Sequence, residues 1–199
     1  MDFSFSEEHL LIRDMARRFA DKELAPVTAE FDEKQEVNFA ALKALGELGF
    51  YGMTVPEEYG GTAMGALAYA DVMIELSKVD AGTAVAVSVQ NSLVNDTVVK
   101  WGTEEQKREF LPKLSTGEMM GCFALTEGGA GSDPGGMKAT ATRDGDHFVL
   151  NGTKNFTTNG GFADLIVGFF QTDMALGAKG ISAFLIPSST PGFAVGRHE

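Results

Sequence analysis

The stretch Gly102–Asp133, GTEEQKREFLPKLSTGEMMGCFALTEGGAGSD, decides the fold. Its first half is helical: Thr103 followed by Gln106 makes a capping-box pair ahead of a short amphipathic run carrying Phe110 and Leu111. From Met119 the pattern becomes that of a short strand running into a glycine-rich loop. The composition of the whole chain changes at the same place. Residues 1–118 hold 21 acids, 11 bases and only 9 of the 24 glycines, whereas residues 119–199 hold 7 acids, 5 bases and 15 glycines. Helices first and strands second predict an α+β fold by segment, with an all-α domain over 1–118 and a β-domain over 119–199, and argue against alternating βαβ units.

Upstream of the break, Ser6 can N-cap a helix with Leu11, Ile12, Met15 and Phe19 on one face, ending before Pro26. Asn38 is a second N-cap, with Val37 and Leu42 placed as a hydrophobic staple and Gly49 near the stop. Tyr69, Val72, Met73 and Leu76 follow helical spacing. Thr83–Lys100 is apolar almost all round, as a central buried helix is. Downstream, MMGCFALT, KATATR, HFVLNG, LIVGFF and ISAFLI read as strands, and Asp144-Gly145 marks a two-residue hairpin turn.

The 199 residues are 44% hydrophobic and 22% charged, which excludes wholesale disorder. A net charge of −12 repels phosphate backbones and anionic membranes, so neither nucleic acid nor a membrane is an expected partner. Cys122 is the only cysteine, the N-terminus lacks a signal-peptide layout, and no apolar run approaches the ~20 residues of a membrane span; the expected location is cytoplasmic. No metal-ligating pattern and no phosphate-loop motif occurs, so no metal is expected. His9, His147 and His198 fall at capping, hairpin and terminal positions and read as surface residues; Cys122 reads as a small buried hydrophobe.

Two segments can carry chemistry. In Cys122–Asp133, the small residues Gly128–Ser132 leave successive N–H groups unshielded, which suits an anion such as a pyrophosphate, and equally suits an ordinary glycine-using loop. Phe123 and Leu125 alternate with Ala124 and offer an apolar wall for a flat ring, with the Thr126 hydroxyl beside it. The segment lacks the Gly-x-Gly-x-x-Gly fingerprint, and no helix follows, which disfavours a Rossmann site. The second segment, Asn151–Gly161 (NGTKNFTTNGG), places Phe156 before two hydroxyls at a strand exit and can supply the opposite side of a flat pocket or simply end a strand.

These segments, in this order, resemble the acyl-CoA dehydrogenase family, as do VPEEYGG at 55–61, the run 102–118 and KGISAFLIPSSTPGFAVGR at 179–197. The resemblance covers essentially the whole chain. It implies an FAD site in which Phe123, Leu125, Thr126, Gly131 and Ser132 form the first contact segment, with Thr126 on the pyrimidine side and Gly131 and Ser132 near the pyrophosphate. Phe156, Thr157 and Thr158 would line the isoalloxazine, Thr158 near N5. Ser132 would also touch the acyl-CoA pantetheine, and Val85 and Val89 would close the acyl end of the pocket. Gly128 stands where the family usually has Pro, Phe156 where Trp is commoner and Thr157 where an aliphatic residue is commoner; these departures leave the substrate class open.

The implied reaction is α,β-dehydrogenation of an acyl-CoA thioester, with electron-transferring flavoprotein as partner and a homotetramer or homodimer as the complete assembly. No catalytic base is matched in the chain; the family's glutamate is expected C-terminal to Glu199, so the chain reads as an inactive N-terminal fragment whose flavin-binding middle domain, 119–199, is a partial β-barrel with an unpaired edge. An acyl-CoA oxidase, an enoyl-CoA reductase, and a non-catalytic binding or partner module remain alternatives at this stage.

Overall fold

A computed structural model of the chain describes residues 5–197, so His198 lies outside the described residues. The chain divides into two compact units, residues 1–119 and 120–199.

The first unit is helical: α1 (Glu7–Phe19), α2 (Thr28–Lys34), α3 (Phe39–Glu47), α4 (Gly65–Ser77), α5 (Ala81–Ser88), α6 (Asp96–Trp101) and α7 (Glu104–Thr116). The caps follow from short polar side chains. Ser6 accepts from the His9 N–H, Asn38 from the Ala41 N–H and Asp80 from the Thr83 N–H, and Thr103 and Gln106 complete a reciprocal capping box. His9 thus sits in the first turn of α1, its Nδ1 2.6 Å from the Ser6 hydroxyl.

Three helix faces differ from the sequence expectation. On α1 the buried residues are Ile12, Ala16 and Phe19, while Leu11 is 70% exposed, because it lies about 100° around the helix from Ile12. On α4 the buried face is Ala68, Asp71, Val72, Glu75 and Leu76, with Tyr69 and Met73 half-buried at its margin. The expected central helix does form, running unbroken from α5 through a π-helical stretch at Val89–Asn95 into α6. It is not apolar all round, however: Gln90, Asn91 and Asn95 are among its most deeply buried residues.

The reason is a neighbouring stretch of irregular backbone. Phe50, Tyr51, Met53 and Val55 are fully buried in turns, where their peptide groups have no ladder to join. Asn91 supplies the missing partners, donating to the Phe50 carbonyl at 2.7 Å and accepting from the Met53 N–H at 3.1 Å. Asn95 donates to the Tyr51 carbonyl at 2.7 Å, and Gln90 donates to the carbonyls of Leu114 and Met119 at 2.9 and 3.1 Å.

The second unit is built on five strands: β1 (Gly121–Ala124), β2 (Thr140–Asp144), β3 (His147–Asn151), β4 (Leu165–Gln171) and β5 (Ile181–Pro187). β2 and β3 form the Asp144-Gly145 hairpin, with Asp144 opposite His147. β4 is central: β5 lies antiparallel along its whole length, and β1 runs parallel to its first half, Cys122 opposite Ile166. β2 joins the end of β4 through Thr140 opposite Gln171. The sheet is open, since β3 pairs only with β2, and β5 only with β4, among the described residues. One face carries the core of Cys122, Ala124, Ala139, Ala141, Ala163, Ile166, Phe170 and Ile186. Burial raises the Cys122 thiol to about 12, which keeps it a protonated, inert core residue.

Replacing Asn91 by alanine leaves the Phe50 carbonyl and the Met53 N–H buried without partners, at about 1–3 kcal/mol each. Asn91→Ala is therefore expected to lower the unfolding free energy by about 3 kcal/mol in urea titrations; a change below about 0.5 kcal/mol would remove this role.

Candidate functional site

The two segments singled out in the sequence lie side by side in the second unit. The first leaves β1 at Ala124. Phe123 points away from the core face, its ring 4.8 Å from that of Phe169, as strand alternation requires. Leu125 lies past the last paired residue of β1 and is half-buried. Thr126 follows, and Glu127 and Ala130 then exchange backbone hydrogen bonds at 3.1 Å across Gly128-Gly129, making a tight reversal. The loop continues through Gly131 and Ser132 to Asp133, whose carboxylate accepts from the Gly135 N–H at 3.1 Å.

Glycine at 128, 129 and 131 serves nothing inside the protein. None of the three has a positive φ. A Cβ at 129 would have no neighbour within 4 Å, one at 131 would meet only Thr126 Cγ2 at 3.9 Å, and one at 128 only Asn155 Nδ2 at 3.7 Å. The N–H groups of Gly128, Gly129, Gly131 and Ser132 find no acceptor among the described residues. The run is exposed, closely approachable and rich in unused donors, which fits an anionic group coming from outside.

The second segment leaves β3 at Asn151. Gly152 is needed there, because its φ is 151° and a Cβ would fall 2.3 Å from that of Ala139. The segment is then tied to the first at both ends. The Asn155 N–H donates to the Thr126 carbonyl at 2.8 Å, and buried Asn159 donates through Nδ2 to the Gly121 carbonyl at 3.2 Å. Between these ties stand Phe156, Thr157 and Thr158. Phe156 is 77% exposed and holds φ at 54°, a region where a bulky side chain carries strain of about 1–3 kcal/mol. Its flat ring is thus presented outward by a backbone that the surrounding structure forces.

An ion pair welds the two segments together. Lys154 Nζ donates to Glu127 Oε1 at 2.8 Å and to the Leu125 carbonyl at 3.1 Å, and lies 3.8 Å from Met137 Sδ and 5.2 Å from the centre of the Phe170 ring. The Lys154 and Glu127 side chains are only 8% and 11% exposed. Glu127 also accepts from the Lys138 N–H at 2.7 Å and the Ala139 N–H at 3.0 Å, so one carboxylate gathers both ends of the glycine loop. Burial pushes the Glu127 carboxyl upward, but the hydrogen bonds from Lys138, Lys154 and Ala139 together outweigh it and hold the group below the usual carboxylate range. Glu127 is therefore an anchored anion. Its signal in the sequence was an acid just before a glycine run, and that of Lys154 a single cation at a strand exit; neither type of residue announces its partner.

The structure thus brings Leu125, Thr126, Gly131, Ser132, Phe156, Thr157 and Thr158 into one neighbourhood, with Phe123 at its foot. Val85 and Val89 belong to the helical unit: Val85 is exposed on α5, and Val89 is buried at the start of the π-helical stretch. No described group of three His, Cys, Asp or Glu residues is arranged to hold a metal ion, and no described helix is long and apolar enough to cross a membrane.

Residues 6–118 match the profile of the acyl-CoA dehydrogenase N-terminal domain, and residues 122–199 that of the acyl-CoA dehydrogenase middle domain. The sequence is 45% identical over 193 residues to a short-chain specific acyl-CoA dehydrogenase of Bos taurus mitochondria, covering 97% of this chain and 47% of that protein. The fold superimposes with a TM-score of 0.97 on a chain in a structure of the electron-transferring flavoprotein of Acidaminococcus fermentans (43% identity, 100% of this chain, 52% of that one). A glutaryl-CoA dehydrogenase of Mycobacterium smegmatis, in complex with FADH2, gives a TM-score of 0.91 at 38% identity, covering 98% of this chain and 49% of that one. The chain spans about half the length of the relatives it matches. A helical unit followed by a sheet unit, matched by the N-terminal and middle-domain profiles in that order, makes this chain a member of the acyl-CoA dehydrogenase family.

Proposed function

We propose that the chain supplies much of the FAD site of an acyl-CoA dehydrogenase acting on a thioester. The observation that carries this reading is the set of glycines at 128, 129 and 131, whose clearance and N–H groups without an acceptor among the described residues serve no purpose within the protein, held beside the exposed Phe156 and Thr158. The N–H groups of Gly131 and Ser132 would receive the pyrophosphate, Thr126 the pyrimidine edge, and Phe123, Leu125 and Phe156 the apolar faces of the ring. Thr157 and Thr158 would border the isoalloxazine, with the Thr158 hydroxyl beside N5. When bound, the flavin supplies the hydride acceptor.

Ser132, exposed in the loop after the reversal, would also contact a pantetheine chain, and Val85 and Val89 would close the acyl end. Glu127 cannot remove the α proton, because its lone pairs are engaged by Lys154 and two backbone N–H groups. We assign the base to the part of the relatives' length that this chain does not span, so the 199 residues alone are expected to be inactive. Electron-transferring flavoprotein as electron acceptor, a homo-oligomeric assembly and a cytoplasmic location complete the proposal.

The test uses the complete protein carrying this chain. It is expected to purify yellow, to bind FAD, and to bleach under anaerobic acyl-CoA; a colourless protein that takes up no FAD would overturn the reading. Comparing oxygen with electron-transferring flavoprotein as acceptor then separates a dehydrogenase from an oxidase. Thr158→Val should weaken flavin binding or turnover by about 1 kcal/mol, roughly fivefold, and an unaltered spectrum and rate would remove Thr158 from the site. Gly131→Val meets no neighbour closer than 3.9 Å at its Cβ, so the melting temperature should hold within a few degrees while FAD affinity falls at least tenfold. Unchanged affinity would place the pyrophosphate elsewhere.

A further inference from the structure

The flavin reading gives Lys154 no contact with the cofactor, yet no other cation of the second unit is so completely enclosed by described partners. A buried ion pair is a poor way to gain stability, since apolar residues of similar volume commonly do as well or better. What the pair provides that apolar packing does not is direction. A carboxylate can accept from the Lys138 N–H, the Ala139 N–H and an ammonium at once, closing the base of the glycine loop. An ammonium can donate both to that carboxylate and to the Leu125 carbonyl. These bonds grip the residues on either side of Thr126, while the Asn155 N–H, next to Lys154, grips Thr126 itself. Met137 and the Phe170 ring wall off the ammonium, so its donors have little choice of partner.

We infer that Glu127 and Lys154 are positioning residues for the flavin cradle: through this pair the glycine loop and the Phe156–Thr158 segment are set at a fixed separation before any cofactor arrives. The inference rests on the flavin reading above. It separates two roles that a structural ion pair would merge, namely keeping the unit folded and keeping the two segments in register.

Lys154→Met, in the complete protein, keeps the length of the side chain and removes its donors. FAD affinity of the apoprotein, followed by flavin fluorescence, is expected to fall at least tenfold, with a less resolved visible band, while the far-ultraviolet circular dichroism is retained. At saturating FAD, kcat should fall more than KM rises, because the flavin is then held in a loosened register. A folded Lys154→Met protein with the wild-type dissociation constant and spectrum would overturn the positioning role. Should that variant fail to fold, Lys154→Ala assayed with n-propylammonium or propan-1-ol decides instead. Recovery of FAD affinity with the cation alone supports the role, whereas equal recovery with both, or with neither, overturns it. A wild-type protein that itself binds no FAD would contradict the flavin reading; wild-type binding with an unaffected variant contradicts only the positioning.

Discussion

Among the described residues of the second unit, one enclosed ion pair fixes how the glycine loop meets the following strand exit. Lys154 and Glu127, 2.8 Å apart and nearly removed from water, are, among the described residues, the only charges that join the glycine loop to the strand exit at Asn151–Gly161. Around them the chain supplies neutral, obligatory contacts: two backbone N–H groups on the carboxylate, a carbonyl on the ammonium, and a thioether and an aromatic ring as walls. Removing Lys154 still leaves Glu127 the Lys138 and Ala139 N–H groups, so the loop base stays closed while its tie to the second segment is lost. The arrangement tolerates a loop with almost no packing of its own. Gly128, Gly129 and Gly131 can stay bare because their position is dictated from the base of the loop.

The helical unit solves a similar problem with neutral groups. A turn-rich stretch at Phe50–Val55 is buried where a loop ordinarily lies at the surface. Asn91 and Asn95, on the π-helical stretch of the central helix, reach its carbonyls and one N–H group, while Gln90 on the same stretch holds the carbonyls of Leu114 and Met119. The wider turn of a π-helix changes which side chains share a face, and here three polar residues become internal. In both units, then, irregular backbone is fixed by side chains that look misplaced when each element is considered alone.

That pattern accounts for what could be read from the sequence. Caps are local, so Ser6, Asn38 and Thr103 were legible from three-residue spacings, and the strands were legible from short β-branched runs between turn residues. The segments at 122–133 and 151–161 stood out by their glycines and hydroxyls, but only the family resemblance read them as a flavin site. Parallel pairing of β1 with β4 was not, since it joins residues more than forty positions apart with a hairpin between them. Nor was the rotation of the α4 face toward Asp71 and Glu75, which hydropathy alone would have put in water. Polar residues in the core are invisible to apolar periodicity because their partners are distant backbone atoms, as with Asn91 and Met53.

We infer that the amides of the glycine loop are held open for an anionic cofactor. Hydrogen exchange of the amides at 128–132, in the complete protein with and without FAD, tests it most directly. The account predicts rapid exchange without FAD, and strong protection at Gly131 and Ser132 once FAD is bound, with the Lys138 and Ala139 amides protected in both states. Equal exchange at 128–132 with and without FAD would contradict it.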